Sequence, residues 1–205
     1  AHYLHNCFYV LGPTRETSAG PVDVQAELYR ANDIENYDTA ALRCLTDNDV
    51  ELLFYTSHPV DQNIGPVFAY EFEDAVVDYQ AYEGTVVAHF KDGREKDYGN
   101  PFADDATKLW DAIDAVRTGA PLACGVDAAM SHTLAVNGAQ ESMPDIAEFP
   151  EEIIVRGEQD GDTLVYVEGL VAALEQCYDA GMLPSEAGGL GWAKAGKVID
   201  LTDYR

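Results

Sequence analysis

The stretch VDVQAELYRANDIENYDTAALRCLTDNDVELLFYTS, Val22 to Ser57, decides the class of fold. Its opening sets Val22, Val24, Ala26 and Leu28 against Asp23, Gln25, Glu27 and Tyr29, and a period of two is that of a half-buried strand. The runs Tyr37–Thr46 and Val50–Ser57 are joined by Asp47-Asn48-Asp49, a compact polar connection that predicts an antiparallel hairpin. Within the second run Leu52, Leu53, Phe54 and Tyr55 are apolar in succession, so both faces of that strand are expected to meet something other than water.

Working outward, further short strands are predicted at Val67–Phe72, Ala75–Gln80 and Thr85–Phe90, and Asp92-Gly93 turns the chain into Arg94–Tyr98. Upstream, Leu4, Cys7, Phe8 and Leu11 recur at helical spacing and stop at Gly12-Pro13. Downstream, Asp104-Asp105 opens a helix carrying Ala106, Leu109, Trp110, Ile113 and Val116 on one face, and Gly119-Ala120-Pro121 closes it. A second helix is expected over Val126–Ser142, followed by strands at Glu152–Arg156 and Thr163–Val167, a helix from about Glu168 to Asp179, and a tail opened by Gly188–Gly191. The expected architecture is α+β: a mostly antiparallel sheet of six or more strands with helices on one face, the other face being a subunit interface. The 205 residues suffice for one domain, with a core over 1–151 and an extension over 152–205.

Composition narrows the partners. Thirty-seven acidic residues against twelve basic ones give a formal charge of −25, which repels phosphate backbones and anionic lipid, so nucleic acid and membrane surfaces are not expected partners. No run approaches the roughly 20 apolar residues of a membrane span, and the first residues carry no leader pattern. Cys7, Cys44, Cys124 and Cys177 lie far apart with no C-x-x-C pair, as expected of reduced, mostly buried thiols in a cytoplasmic protein.

Neither a G-x-G-x-x-G, a G-x-x-x-x-G-K-[ST], an H-E-x-x-H nor a G-x-S-x-G motif occurs. Gly188–Gly191 has neither the spacing nor the strand-to-helix context to cradle a pyrophosphate. No cofactor-binding residue and no metal ligand set is therefore expected in this chain. Five histidines remain for proton exchange. His2 and His5 share a helix face one turn apart; a metal would need a third ligand, whereas acid/base chemistry needs one imidazole. His58 ends a strand before Pro59, where a sheet can deliver a side chain to a pocket rim. His89 should point to solvent, and His132, on the small-residue face of Ala128, Ala135 and Ala139, should be a packed histidine.

Two runs carry a resemblance. IENYDTAALRCLTDNDVELLFYTS (Ile34–Ser57) has an acidic lead-in, Asp-Thr-Ala, alternating apolar residues, a turn and a strand ending in a small polar residue. LWDAIDAVRTGAPLACGVDAAMSHTLAVNGAQES (Leu109–Ser142) has a helix, an Arg-Thr-Gly-x-Pro turn and a following helix. Both are similar to the C-terminal, substrate-side domain of the Gfo/Idh/MocA family of NAD(P)-dependent oxidoreductases, over about Ala1 to Glu151. The resemblance implies that His2, ten residues before Gly12, is the catalytic acid/base. The Asp usual one turn before it falls off this chain, and the Asp often found one turn after is here His5.

The family further implies a preceding Rossmann domain that holds NAD or NADP, with a Glu-Lys-Pro lysine assisting the histidine. Its antiparallel sheet walls a sugar or polyol site and makes homo-oligomer contacts. His5, Tyr37, Asp38 and His58 are the polar groups placed nearest the substrate. The expected activity is hydride transfer between a nicotinamide and a sugar or polyol carbon, in a protein of which these residues alone are inactive. Two alternatives stay open: an NAD-dependent glycoside hydrolase of the same family, and a non-enzymatic sugar-binding or scaffold module.

Overall fold

The structure is a computed structural model that describes residues 2–81, 84–103, 106–122, 124–159 and 162–204. In chain order the elements are α1 (His2–Val10), β1 (Pro21–Arg30), β2 (Thr39–Thr46), β3 (Glu51–Ser57), β4 (Val67–Glu71), β5 (Ala75–Gln80), β6 (Val87–Phe90) and β7 (Glu95–Asp97). They continue with α2 (Thr107–Thr118), α3 (Val126–Ser142), β8 (Ala147–Glu148), β9 (Ile154–Gln159), β10 (Asp162–Val167), α4 (Leu170–Ala180) and β11 (Ile199–Asp200). This is the α+β class expected, with the strands of the described residues divided among three sheets rather than one. Two compact units result, one of residues 1–62 and 123–205, the other of residues 63–122.

In the larger unit the sheet runs β11-β1-β2-β3, with β8 pairing parallel to β1 and the other pairs antiparallel. The register places Val24, Ala26 and Leu28 beside Cys44, Leu42 and Ala40, so one face is apolar. Helix α3 lies on that face through its small residues: Ala128, Ser131, Ala135, Gly138, Ala139 and Ser142 are all buried. A β-carbon at Gly138 would come within 2.6 Å of Val24 Cγ1 and 2.8 Å of Leu201 Cδ2, so the bare Cα is what permits this close approach. Leu4 and Phe8 of α1 complete the layer. In α1 the helix stops where expected, since a β-carbon at Gly12 would meet Thr17 O at 2.0 Å.

The opposite face departs from the expectation. Alternation puts Gln25, Glu27 and Tyr29 there, with Arg43 and, on β3, Leu53 and Tyr55. Half-burial of β1 predicted solvent here; instead the chain's own C-terminal segment covers part of this face. Tyr55 Oη donates to Cys177 O (3.2 Å) and Met182 O (2.9 Å), Arg43 forms a forked pair with Glu186 (2.6 and 2.8 Å), and Trp192 sets its edge on Tyr29 at 5.0 Å. Glu27 is fully buried and accepts from Ser185 N (3.2 Å), Ser185 Oγ (2.5 Å) and Tyr29 Oη (2.5 Å). Helical and strap elements thus flank the sheet on both sides, and the apolar succession Leu52–Tyr55 is explained from within the chain. The segment after 151, expected as an extension, is an integral part of this unit.

The smaller unit is an antiparallel meander, β4-β5-β6-β7. Phe68 stacks on Tyr79 at 5.3 Å, with Tyr70 and Phe102 around them. His89 projects outward, as expected, between Asp78 (3.4 Å) and Glu95 (3.0 Å). Helix α2 ends at Gly119 in the left-handed conformation (φ 73°), the predicted stop. The predicted opening pair Asp104-Asp105 lies outside the described residues. Contrary to the amphipathic reading, α2 buries none of its residues. Among the described residues no helix is long and apolar enough to cross a membrane.

Candidate active site

The helix face of His2 and His5 meets α3. His5 lies 5.8 Å, ring to ring, from both His132 and Tyr9, and its Nε2 is 3.1 Å from Cys124 Sγ. His132 Nδ1 bonds Ala129 O at 2.9 Å, which holds its ring in place. Partial burial, then the nearby imidazoles of His132 and His2, push the His5 pKa below its ordinary value. The neutral form of His5 is thereby favoured. His2, at the first turn of α1, is exposed to solvent. No three His, Cys, Asp or Glu side chains among the described residues are placed to hold a metal ion.

Tyr37, Asp38 and His58 gather at the other end of the β2–β3 hairpin from its Asp47–Asp49 turn, where His58 N donates to Asp38 O at 2.9 Å. The C-terminal end of α1 is tied to the turn end, since Asn48 Nδ2 donates to Leu11 O. The two groups of candidates therefore sit in different parts of the unit. Asp38 is 6% exposed, and its carboxylate accepts from Ala31 N, Asn32 N, Asn32 Nδ2 and Thr39 Oγ1. That set fills its lone pairs, so Asp38 closes the β1–β2 loop rather than reaching for a ligand. Tyr37 is half-buried against the core, and burial raises its pKa. His58 is exposed at the strand end, as the sequence suggested.

Beside this loop opens a cleft of about 460 Å³ whose polar lining includes Arg30, Asn32, Asp33, Glu148 and Arg156. Both guanidiniums are already paired, Arg30 with Glu148 at 2.8 Å and Arg156 with Glu151. Sequence reasoning placed none of these in a site, because their grouping depends on β8 lying parallel to β1 across more than a hundred residues. It likewise missed the approach of Cys124 to His5, for which a separation of 119 residues leaves no local signal.

None of the four cysteines, all among the described residues, forms a disulfide. Cys44 and Cys177 are buried as expected, burial pushing the Cys44 thiol up to about 12, whereas Cys124 is exposed. Brief treatment of the native chain with iodoacetamide should label Cys124 first and leave Cys44 and Cys177 untouched until denaturation. Peptide mapping that finds native labelling at Cys44 would contradict the packing of β2.

Gly188-Gly189-Leu190-Gly191 lies in bends of the tail and leads into a turn, with no strand before it and no helix after it to aim amides at a pyrophosphate. No protein-family model matches the chain, and no curated protein does. Among solved structures it is similar to UDP-N-acetylglucosamine 3-dehydrogenase GnnA from Acidithiobacillus ferrooxidans, at 20% identity and a TM-score of 0.51, over 59% of this chain and 40% of that one. A second is an oxidoreductase from Agrobacterium radiobacter in complex with NAD+, L-tartaric acid and magnesium, at 16% identity and a TM-score of 0.52, over 70% of this chain and 45% of that one. A third, from Thermotoga maritima, reaches a TM-score of 0.54 at 12% identity, over 80% of this chain and 44% of that one. The chain thus spans less than half the length of these structures, and what it shares with them is a fold.

Proposed function

We propose that this chain is the substrate-side domain of an NAD(P)-dependent oxidoreductase acting on a sugar or polyol, with His2 exchanging the hydroxyl proton. The observation that carries the reading is the fold shared with chains described as oxidoreductases, one of them a UDP-sugar 3-dehydrogenase by name. A nicotinamide held by a preceding dinucleotide-binding domain supplies the hydride chemistry. The part assigned to these residues is proton handling. As a substrate hydroxyl becomes a carbonyl, its proton passes to the exposed imidazole of His2. A proton on His2 repels one on His5, a turn away, whose ionisation is already disfavoured, so the charge stays on one ring. Homo-oligomer contacts through the sheet belong to the same proposal.

Titration with NADH, followed by cofactor fluorescence, tests the division of labour. The 205-residue chain should show no saturable binding, while a polypeptide that includes the preceding domain should bind. In that longer protein His2→Ala should lower turnover with a sugar substrate by about 100-fold or more while leaving cofactor affinity unchanged. Saturable NADH binding by the 205 residues, or turnover indifferent to His2, would falsify the assignment.

A further inference from the structure

Cys124 is the exposed one among the four cysteines, and an imidazole stands beside it, His5 Nε2 lying 3.1 Å from its Sγ. The two residues are 119 apart in sequence but belong to one compact unit, that of residues 1–62 and 123–205. His5 projects from α1, and Cys124 stands in the segment that leads into α3. The His5 ring is held on two sides, edge-on by His132 at 5.8 Å and by Tyr9 at the same distance. Cys44 and Cys177, by contrast, are buried, and burial pushes both of their thiols up.

A nucleophile and a base within hydrogen-bond reach form the arrangement that activates a thiol. A thiol of ordinary pKa, about 8.5, is only about 3% ionised at pH 7, which leaves a base at the sulfur much to gain. The base must itself be unprotonated. His5 meets that condition, because partial burial and the imidazoles of His132 and His2 disfavour its charged form. For the same reason it passes a proton on rather than retaining it. The formal charge of −25 selects the electrophile. Anionic oxidants such as a peptide disulfide bearing carboxylates are repelled, whereas a small uncharged hydroperoxide is not.

We propose that Cys124 is a modification site for uncharged hydroperoxides, with His5 as the base that activates its sulfur. The sulfur attacks one peroxide oxygen while the S–H proton passes to His5 Nε2. The O–O bond breaks, and the proton moves from His5 to the departing oxygen. With hydrogen peroxide the products are a cysteine sulfenic acid and water, the sulfur being oxidised by two electrons and the peroxide reduced. This holds whether or not His2 handles a substrate proton.

The test follows sulfenic acid formation at Cys124 with hydrogen peroxide, trapped by dimedone and quantified by peptide mass, from pH 6 to pH 10.5. The references are the His5→Gln variant, which keeps a polar side chain but no proton acceptor, and a synthetic peptide of residues 119–129. At pH 7 the parent should react at least about tenfold faster than either. The advantage should close about two pH units above the ordinary thiol value, where the sulfur ionises without help. A difference in exposure alone would be the same at every pH. Should His5→Gln fail to fold, the parent and the peptide decide between them. A parent rate at pH 7 equal to that of the peptide overturns the proposal, as does an advantage over His5→Gln that is independent of pH. So does a Cys124 that resists peroxide until the chain is denatured, since its sulfur would then be covered.

Discussion

Replacing Glu27 by Ala should cost about 4 kcal/mol of stability, the largest loss expected from any single truncation in the sheet. Glu27 is fully buried, and three donors converge on it: Ser185 N, Ser185 Oγ and Tyr29 Oη. Alanine removes three hydrogen bonds and leaves the Ser185 and Tyr29 groups facing a cavity, and each unsatisfied buried group costs roughly 1–3 kcal/mol. For a chain of this size the loss should appear as a midpoint lowered by roughly 8–16 °C in a thermal melt. A drop under a few degrees would mean that the C-terminal segment is not seated on this face.

The same residue gives a pH signature. Burial raises the Glu27 pKa above its ordinary value of 4.5, against the opposing hydrogen bonds from Ser185 and Tyr29. A carboxyl whose folded pKa is raised contributes stability that is fully present below the unfolded value and is lost as pH rises through the folded one. Gln cannot titrate, so the stability of the parent relative to Glu27→Gln should be greatest below pH 4.5 and should decline as pH rises through the raised value. Urea midpoints for the two proteins at several pH values measure this, and a difference independent of pH would exclude a perturbed Glu27.

These features show where the sequence was legible. The period-two pattern of β1 and the Asp47–Asp49 turn are local signals, and strands and hairpin lie where they predict. The small-residue face of α3 was also legible, because close helix packing leaves its mark within one element. Long-range partners were not. Glu27 reads as an exposed alternate of β1, and only Ser185, 158 residues later, reveals that it is interior. Local spacing likewise cannot tell that Asp38 is consumed by its own loop, or that His5 has Cys124 beside it. In the candidate site, residue types were readable one at a time, whereas their company was set by the tertiary fold. Helix α2 shows the converse limit: its pattern announces a buried face, yet none of its residues is buried.

Gly196→Ala tests the seat of the C-terminal segment from its other end. A β-carbon there would lie 2.0 Å from Ala26 O and 2.5 Å from Ser142 Oγ, and a backbone carbonyl in a central strand has no freedom to withdraw. Nor can the segment itself move away without loss. Gln25 Nε2 donates to Gly196 O at 3.0 Å, Lys197 N donates to Ser142 O at 2.9 Å, and Ser142 Oγ donates to Lys197 O at 2.6 Å. Two residues on, β11 pairs with β1, and Leu201 is buried against α3. Relieving the clash therefore releases the hydrogen bonds and the strand together, at a cost of about 3 kcal/mol or more. Trypsin should then cut after Lys194 and Lys197 much faster than in the parent. Gly191→Ala is the control: a β-carbon there meets nothing within 4 Å, so its effect should stay within about 0.5 kcal/mol. Equal protease resistance in G196A and the parent would mean that residues 194–201 do not lie against β1, and the coverage of the sheet's second face would have to be redrawn from Ser185 onward.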